Sequence, residues 1–132
     1  MSIVTGIQSK DVPRIWPSVA RFIAAGLGEG ETLENTFDRL NKRQCQLWTA
    51  KDNEKIIAAA VTEIVTLEGR KICNVLSIGG SGLDEWIDNL GFIEAWAISN
   101  KCVAMRHANC RPGWRRILKD YQVKFLVLEK VL

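Results

Sequence analysis

The sequence has one histidine, one tyrosine and four cysteines, and this scarcity removes several kinds of site from consideration. The cysteines, Cys45, Cys73, Cys102 and Cys110, form no C-x-x-C pair, and His107 has no partner at metal-ligand spacing. We therefore expect no metal site. Reduced thiols in a cytoplasmic protein fit better, with Cys73 and Cys102 as small buried residues inside strands.

The sequence also lacks a long apolar run. No uninterrupted stretch approaches the ~18 residues that span a bilayer, and the first residues show no basic segment followed by an apolar one. These absences predict a protein of the cytoplasm with no membrane partner. If the gene is carried by a phage, that location becomes the host cytoplasm or the virion.

Charge is modest, with a formal net value of +3. The densest basic group lies on and before a predicted C-terminal helix and contains Arg111, Arg115, Arg116 and Lys119. No row of aromatic residues for stacking on bases accompanies it, so nucleic-acid binding is disfavoured. The group fits a solvated helix face as well as a site for a phosphate or an acidic partner.

The 132 residues have the length of one domain, 47% are hydrophobic and 25% are charged, as in ordinary globular proteins. No linker, repeat or low-complexity segment divides the chain. We expect a single domain over residues 1–132.

The first part of the chain predicts a strand followed by two helices. Residues 3–7 alternate apolar and polar side chains, as in a half-buried strand. Ser9, Asp11 and Pro13 are typical of a helix start, and a break at three glycines precedes Thr32, which can cap a second helix.

The remaining residues predict five more strands. Residues 45–50, 55–67 and 71–78 are read as strands, and residues 79–82 as a glycine loop that leads into a helix from Leu83. A strand over 101–107, a short helix over 111–119 and a strand over 123–131 follow. The order β-α-α-β-β-β-α-β-α-β predicts an α/β fold with a mixed, mostly antiparallel sheet of about six strands and helices on both faces.

Besides this order of elements, three short segments point to a known family. They are Thr62-Glu63-Ile64 in the third strand, Cys110-Arg111-Pro112-Gly113-Trp114 before the last helix, and the terminal Val127-Leu128-Glu129-Lys130-Val131-Leu132. Together they resemble GNAT-type N-acetyltransferases, and in particular the small GNAT-like proteins of tailed phages. The resemblance covers nearly the whole chain and implies an acetyl-CoA cofactor.

In that family the pantetheine of acetyl-CoA lies where two parallel strands splay apart, and amides of the following loop hold the pyrophosphate at a helix N-terminus. The resemblance places this cofactor-binding loop at Ser77, Ile78, Gly79, Gly80, Ser81 and Gly82. The family usually has Arg or Gln where Ser77 stands. Ser81 and Asp84 could also cap the helix from within, so a well-capped helix after a glycine turn is the alternative.

Three residues are candidates for catalysis. Glu63 interrupts an apolar strand and shares a face with Val61 and Val65, so a partly buried carboxylate could be a general base, whereas a solvent-facing one would be unremarkable. His107 could take a proton or be a structural histidine. Tyr121 is near the family's general acid, which is expected closer to Leu118, or packs its ring at the rim of the core.

Two functions follow. The first is acetyl-CoA-dependent N-acylation of an amine-bearing small molecule or protein. The second is a GNAT-like phage protein without catalysis, associated with the virion or bound to a host protein. A homo-oligomer is compatible with both, because five tryptophans are many for this length.

Overall fold

The computed structural model describes residues 3–28, 30–81, 83–107, 118–123 and 128–132, and for residues 83–89 it describes the backbone alone. The elements in chain order are β1 (Ile3–Ile7), a 3-10 turn (Ser9–Asp11), α1 (Val12–Gly26), α2 (Leu33–Asn41), β2 (Gln46–Asp52), β3 (Lys55–Leu67), β4 (Arg70–Gly80), α3 (Leu83–Ser99) and β5 (Ala104–His107).

The strands of this part of the chain form one five-stranded sheet in the order β1-β2-β3-β4-β5. The first three pairings are antiparallel and β4 pairs with β5 in parallel, so the predicted mixed, mostly antiparallel sheet is confirmed. The predicted helix over 111–119 and strand over 123–131 fall largely outside the described residues. Among the described helices, none is long and apolar enough to cross a membrane.

Helix α2 begins where the sequence predicts. The Thr32 hydroxyl oxygen accepts a hydrogen bond from the Asn35 amide at 3.1 Å, which satisfies one of the unpaired donors at the helix start. Helix α1 has a proline in its first turn, as Pro13 predicts. The two helices follow β1 directly and pack against the same face of the sheet.

Successive side chains of β3 point to opposite faces of the sheet and belong to two separate hydrophobic cores. Ala58 and Ala60 belong to the cluster on the α3 side, whereas Ala59 and Val61 belong to the cluster under α1 and α2. All four side chains are fully buried. The prediction of helices on both faces of the sheet is therefore confirmed, and the central strand has small residues on both sides.

The prediction of a glycine loop directly after Ile78 is wrong at its first two residues, because β4 continues through Gly79 and Gly80. A Cβ on Gly79 would lie 2.2 Å from the Phe22 carbonyl oxygen, and one on Gly80 would lie 2.4 Å from the Ala58 Cα. Both glycines are thus explained by close packing of α1 and β3 against this strand.

The strand predicted over 101–107 begins three residues later, at Ala104. The amide of Cys102 donates to the Ala97 carbonyl and that of Lys101 to the Ile98 carbonyl, both at 2.9 Å, and Lys101 has φ 66°. This is a Schellman ending of α3. Cys102 consequently lies outside the strand and is half-buried, whereas Cys73 is buried in β4 as predicted.

Candidate active site

Strands β4 and β5 run in parallel up to the last described residue of β5. Their register runs from Ile72 opposite Ala104 to Val75 opposite His107, and β4 continues to Gly80. Leu76 is an extra residue in the pairing of β4 with β3, so a β-bulge lies next to Val75. Bulges bend a strand and increase its local twist.

Helix α3 begins three residues after β4 ends, so its N-terminus lies near the end of β4. Backbone amides at a helix N-terminus favour an anion, because they are unpaired and carry the positive end of the helix dipole. The predicted cap between Ser81 and Asp84, and the predicted site residue Gly82, lie outside the described residues and side chains.

The side chain of Ser77 is already engaged inside the protein. It is buried, and its hydroxyl donates to the Ile23 carbonyl oxygen of α1 at 2.7 Å. A Cβ on Gly26 would lie 2.6 Å from the Ser77 hydroxyl oxygen and 2.5 Å from the Ile78 carbonyl oxygen. Helix α1 thus presses on β4 here, and the Ser77 side chain is withdrawn into the protein.

Ser81 is also partly engaged. Its amide donates to the Ile57 carbonyl at 2.9 Å, which extends the pairing of β3 with β4 by one residue, while its side chain is exposed. The amide of Ser81 therefore serves the sheet and is not available to a diphosphate.

The structure brings two of the predicted catalytic residues together. The ring of Tyr121 lies edge-on to the ring of His107, with centroids 5.0 Å apart, and its hydroxyl donates to Glu94 Oε1 of α3 at 3.3 Å. Burial lowers the pKa of His107 to about 4. The imidazole is therefore neutral at neutral pH, opposite Val75 in the last described pair of β4 and β5.

The third candidate, Glu63, lies on the other face of the sheet. One carboxylate oxygen accepts a hydrogen bond from the Arg39 guanidinium of α2, and the other accepts one from the Asn74 side-chain amide at 3.1 Å. The ion pair is largely buried, with Glu63 15% and Arg39 24% exposed. Hydrogen bonding to Glu63 is the main cause that raises the pKa of Arg39 above its ordinary value.

Sequence reasoning missed Arg39 and Asn74 as partners of Glu63. The sequence did contain an indication for Arg39. This residue lies three positions after Thr36 and one before Leu40, the two buried residues of α2, so its side chain starts next to the face that packs on the sheet. Asn74 is opposite Glu63 in the register of β3 and β4, which only the pairing reveals. Glu63 and the His107–Tyr121 pair do not form one cluster, because the sheet lies between them.

The described residues contain no group of three His, Cys, Asp or Glu side chains placed to hold a metal ion. Burial raises the pKa of the Cys45 thiol to about 11 and that of Cys73 to about 12. Both thiols are protonated at neutral pH, which removes them as nucleophiles.

Comparison with known proteins identifies the fold. No protein-family model and no curated sequence matches the chain. Three solved structures are similar over 99% of it. A predicted acetyltransferase from Clostridium acetobutylicum with acetyl-CoA has a TM-score of 0.69 at 15% identity and is covered over 96% of its length. A glucosamine-6-phosphate N-acetyltransferase from Arabidopsis thaliana has 0.67 at 12%, covered over 98%.

The third is a GNAT family acetyltransferase from Staphylococcus aureus, with a TM-score of 0.67 at 14% identity and 98% of its chain covered. The chain therefore has the fold of GNAT acetyltransferases. Identities this low establish the architecture and carry no assignment of substrate.

Proposed function

We propose that this protein is an acetyl-CoA-dependent N-acyltransferase that acts on the amine of a small molecule. The observation that carries the proposal is the parallel pair of β4 and β5, with a bulge at Leu76 and the start of α3 three residues after β4. The proposal places a parting of the two strands beyond their last described pair, Val75 and His107. The fold is shared with acetyltransferases, one of which was crystallised with acetyl-CoA. Another is named for the amino sugar glucosamine-6-phosphate.

The chain offers acetyl-CoA a strand edge rather than a set of side chains. The pantetheine arm is an extended amide chain, so it requires backbone donors and acceptors, and β4 continues from Leu76 to Gly80 beyond its last described pair with β5. The start of α3 would receive the diphosphate. Once bound, the cofactor supplies a thioester whose carbonyl carbon is open to attack by an amine.

We assign proton transfer to the two residues at the parting. His107 is neutral and can accept a proton from the incoming amine, although its lowered pKa makes it a weak base. Tyr121 carries a hydroxyl donor within reach of Glu94 and is the candidate acid. Glu63 is the alternative base, but both of its oxygens already accept hydrogen bonds from Arg39 and Asn74.

Calorimetric titration of the full chain with acetyl-CoA tests the proposal. We expect micromolar affinity, weakened at least tenfold in Ser81→Glu, because the new carboxylate would stand in the field of the diphosphate. Ser18→Glu, on the exposed surface of α1, is the matched control and should bind normally. Gly80→Asp would be a poor test, because a side chain there collides with β3.

Turnover gives the second readout. Release of free coenzyme A in the presence of a panel of small amines should fall at least a hundredfold in His107→Gln and about tenfold or more in Tyr121→Phe. If turnover falls more in Glu63→Gln than in His107→Gln, Glu63 rather than His107 is the general base. Absence of binding at millimolar acetyl-CoA would end the enzyme proposal.

The competing proposal is a GNAT-like protein without catalysis, such as a phage protein bound to a virion or host partner. The internal hydrogen bonds of Ser77 and Ser81 favour it, because both groups are withdrawn from a cofactor. The same titration separates the two functions. A cytoplasmic location is compatible with each.

A further inference from the structure

A cavity of about 360 Å³ lies at the β1 edge of the sheet, between the start of α1 and the end of α2. It is lined by the end of β1, the 3-10 turn and the start of β2. Strand β3 separates it from β4, so it is distinct from the site proposed at β4 and β5. Its volume is within the range of sites for small molecules.

Two apolar residues that line this cavity, Ile7 and Cys45, are half-buried and so can be reached from it. Val12, Leu40 and Leu47 also border it, but each is at most 1% exposed. Burial raises the pKa of the Cys45 thiol to about 11, so this part of the wall is uncharged at neutral pH. A ligand's apolar part would be desolvated here without meeting a charge.

The rim is basic. Lys10 and Arg43 both line the cavity, and none of its described lining residues is acidic. The Arg43 Nε donates to the Ser9 hydroxyl at 3.2 Å, which holds the guanidinium across the mouth from the end of α2 to the 3-10 turn. This bond uses one of the five N–H donors of the guanidinium.

The backbone also fixes Arg43 in place. The Arg43 amide donates to the Leu40 carbonyl at 3.2 Å and the Gln44 amide to the Arg39 carbonyl at 2.8 Å, which is a Schellman ending of α2. Arg43 occupies the left-handed position of that motif, with φ 61°, where glycine is usual. The side chain therefore starts from a rigid helix end.

We propose that this pocket binds a small organic anion with a short apolar body, whose charged group lies at Arg43 and Lys10 and whose apolar part lies over Ile7 and Cys45. Two cations, with no acidic residue in the described lining, favour an anion over an amine or a neutral molecule. The accessible apolar residues favour a ligand with a hydrocarbon portion over inorganic phosphate.

The test compares three probes of one shape on the full chain. Hexanoate, 1-hexanol and hexylamine are titrated into the ¹⁵N-labelled protein without acetyl-CoA, and amide shifts around the cavity are followed. We expect hexanoate to bind at least tenfold more tightly than 1-hexanol and hexylamine not to bind. Equal binding of hexanoate and hexylamine, or no binding of hexanoate, would overturn the proposal.

Two glycine variants locate the charge without risking the fold. Arg43→Gly and Lys101→Gly both replace a basic residue in the left-handed position of a Schellman ending, where glycine is preferred. Arg43→Gly should weaken hexanoate binding at least tenfold and Lys101→Gly should leave it unchanged. Unaltered affinity in Arg43→Gly contradicts the proposal, and the result does not depend on whether acetyl-CoA binds elsewhere.

Discussion

At the scale of single residues, His107 couples folding to pH. Burial lowers its folded pKa to about 4, below the ordinary value of 6.5. Between these values the unfolded chain binds the proton and the folded chain does not, so stability falls as the pH drops through this window. We expect the free energy of unfolding to decrease by up to about 1.4 kcal/mol per pH unit from this one group.

Urea denaturation of the native chain and of His107→Gln at pH 7.0, 6.0, 5.0 and 4.5 measures this effect. The difference between the two proteins should change across the series, because glutamine does not titrate. Parallel pH profiles would show that the imidazole is not desolvated in the folded state. Carboxylates contribute to both profiles alike, so the comparison isolates the histidine.

At this scale the sequence indicated a partly buried residue where a charged side chain stands within an apolar strand. Glu63 was singled out because it interrupts an apolar strand, and the structure shows that this side chain is 15% exposed and paired. Its partners could not be named, since Arg39 is 24 residues away in the chain. Cys102 was misplaced, because the sequence does not reveal that Lys101 adopts the left-handed conformation.

At the scale of elements, the two hairpins of the sheet offer a matched pair of turns. Asn53 and Glu54 join β2 to β3, and Glu68 and Gly69 join β3 to β4, each with positive φ at both positions. Two-residue turns of this kind favour glycine at their second position, because other residues are strained by a positive φ there. Glu54→Gly should therefore raise the free energy of unfolding by about 0.5–1 kcal/mol, and Gly69→Ala should lower it by about 1 kcal/mol.

Chemical denaturation of both variants checks the signs, since Glu54 is exposed and nothing lies within 4 Å of a Cβ at Gly69. A destabilised Glu54→Gly would mean that the glutamate side chain contributes more than the backbone strain costs. The turns predicted from the sequence were one or two residues too long, because polar residues such as Lys51 and Asp52 still belong to the end of strand β2.

At the scale of the whole molecule, the distance between the α1 layer and the sheet depends on Gly79. A Cβ there would lie 2.2 Å from the Phe22 carbonyl oxygen, which belongs to a helix backbone and cannot rotate away. Gly79→Ala should cost at least about 1–3 kcal/mol by pushing the layer outward. Gly91→Ala, in α3 with nothing within 4 Å, should instead stabilise by about 0.5–1 kcal/mol.

Thermal unfolding of the two alanine variants gives the comparison. Equal and small effects would contradict the close contact between α1 and β4. The layered arrangement itself was predictable, because element order and helical periodicity are local signals. The register of β4 against β5 was not predictable, since a helix separates the two strands in the chain, and neither was the bulge at Leu76.

The alternation of β3 between two clusters has a consequence for how the protein can vary. Each cluster takes its own side chains from the strand: Ala58 and Ala60 on one side, Ala59 and Val61 on the other. Substitutions in the two interiors share no side-chain partner, so their energetic effects should add. One half can therefore diverge in sequence to accommodate new ligands while the other half preserves its geometry.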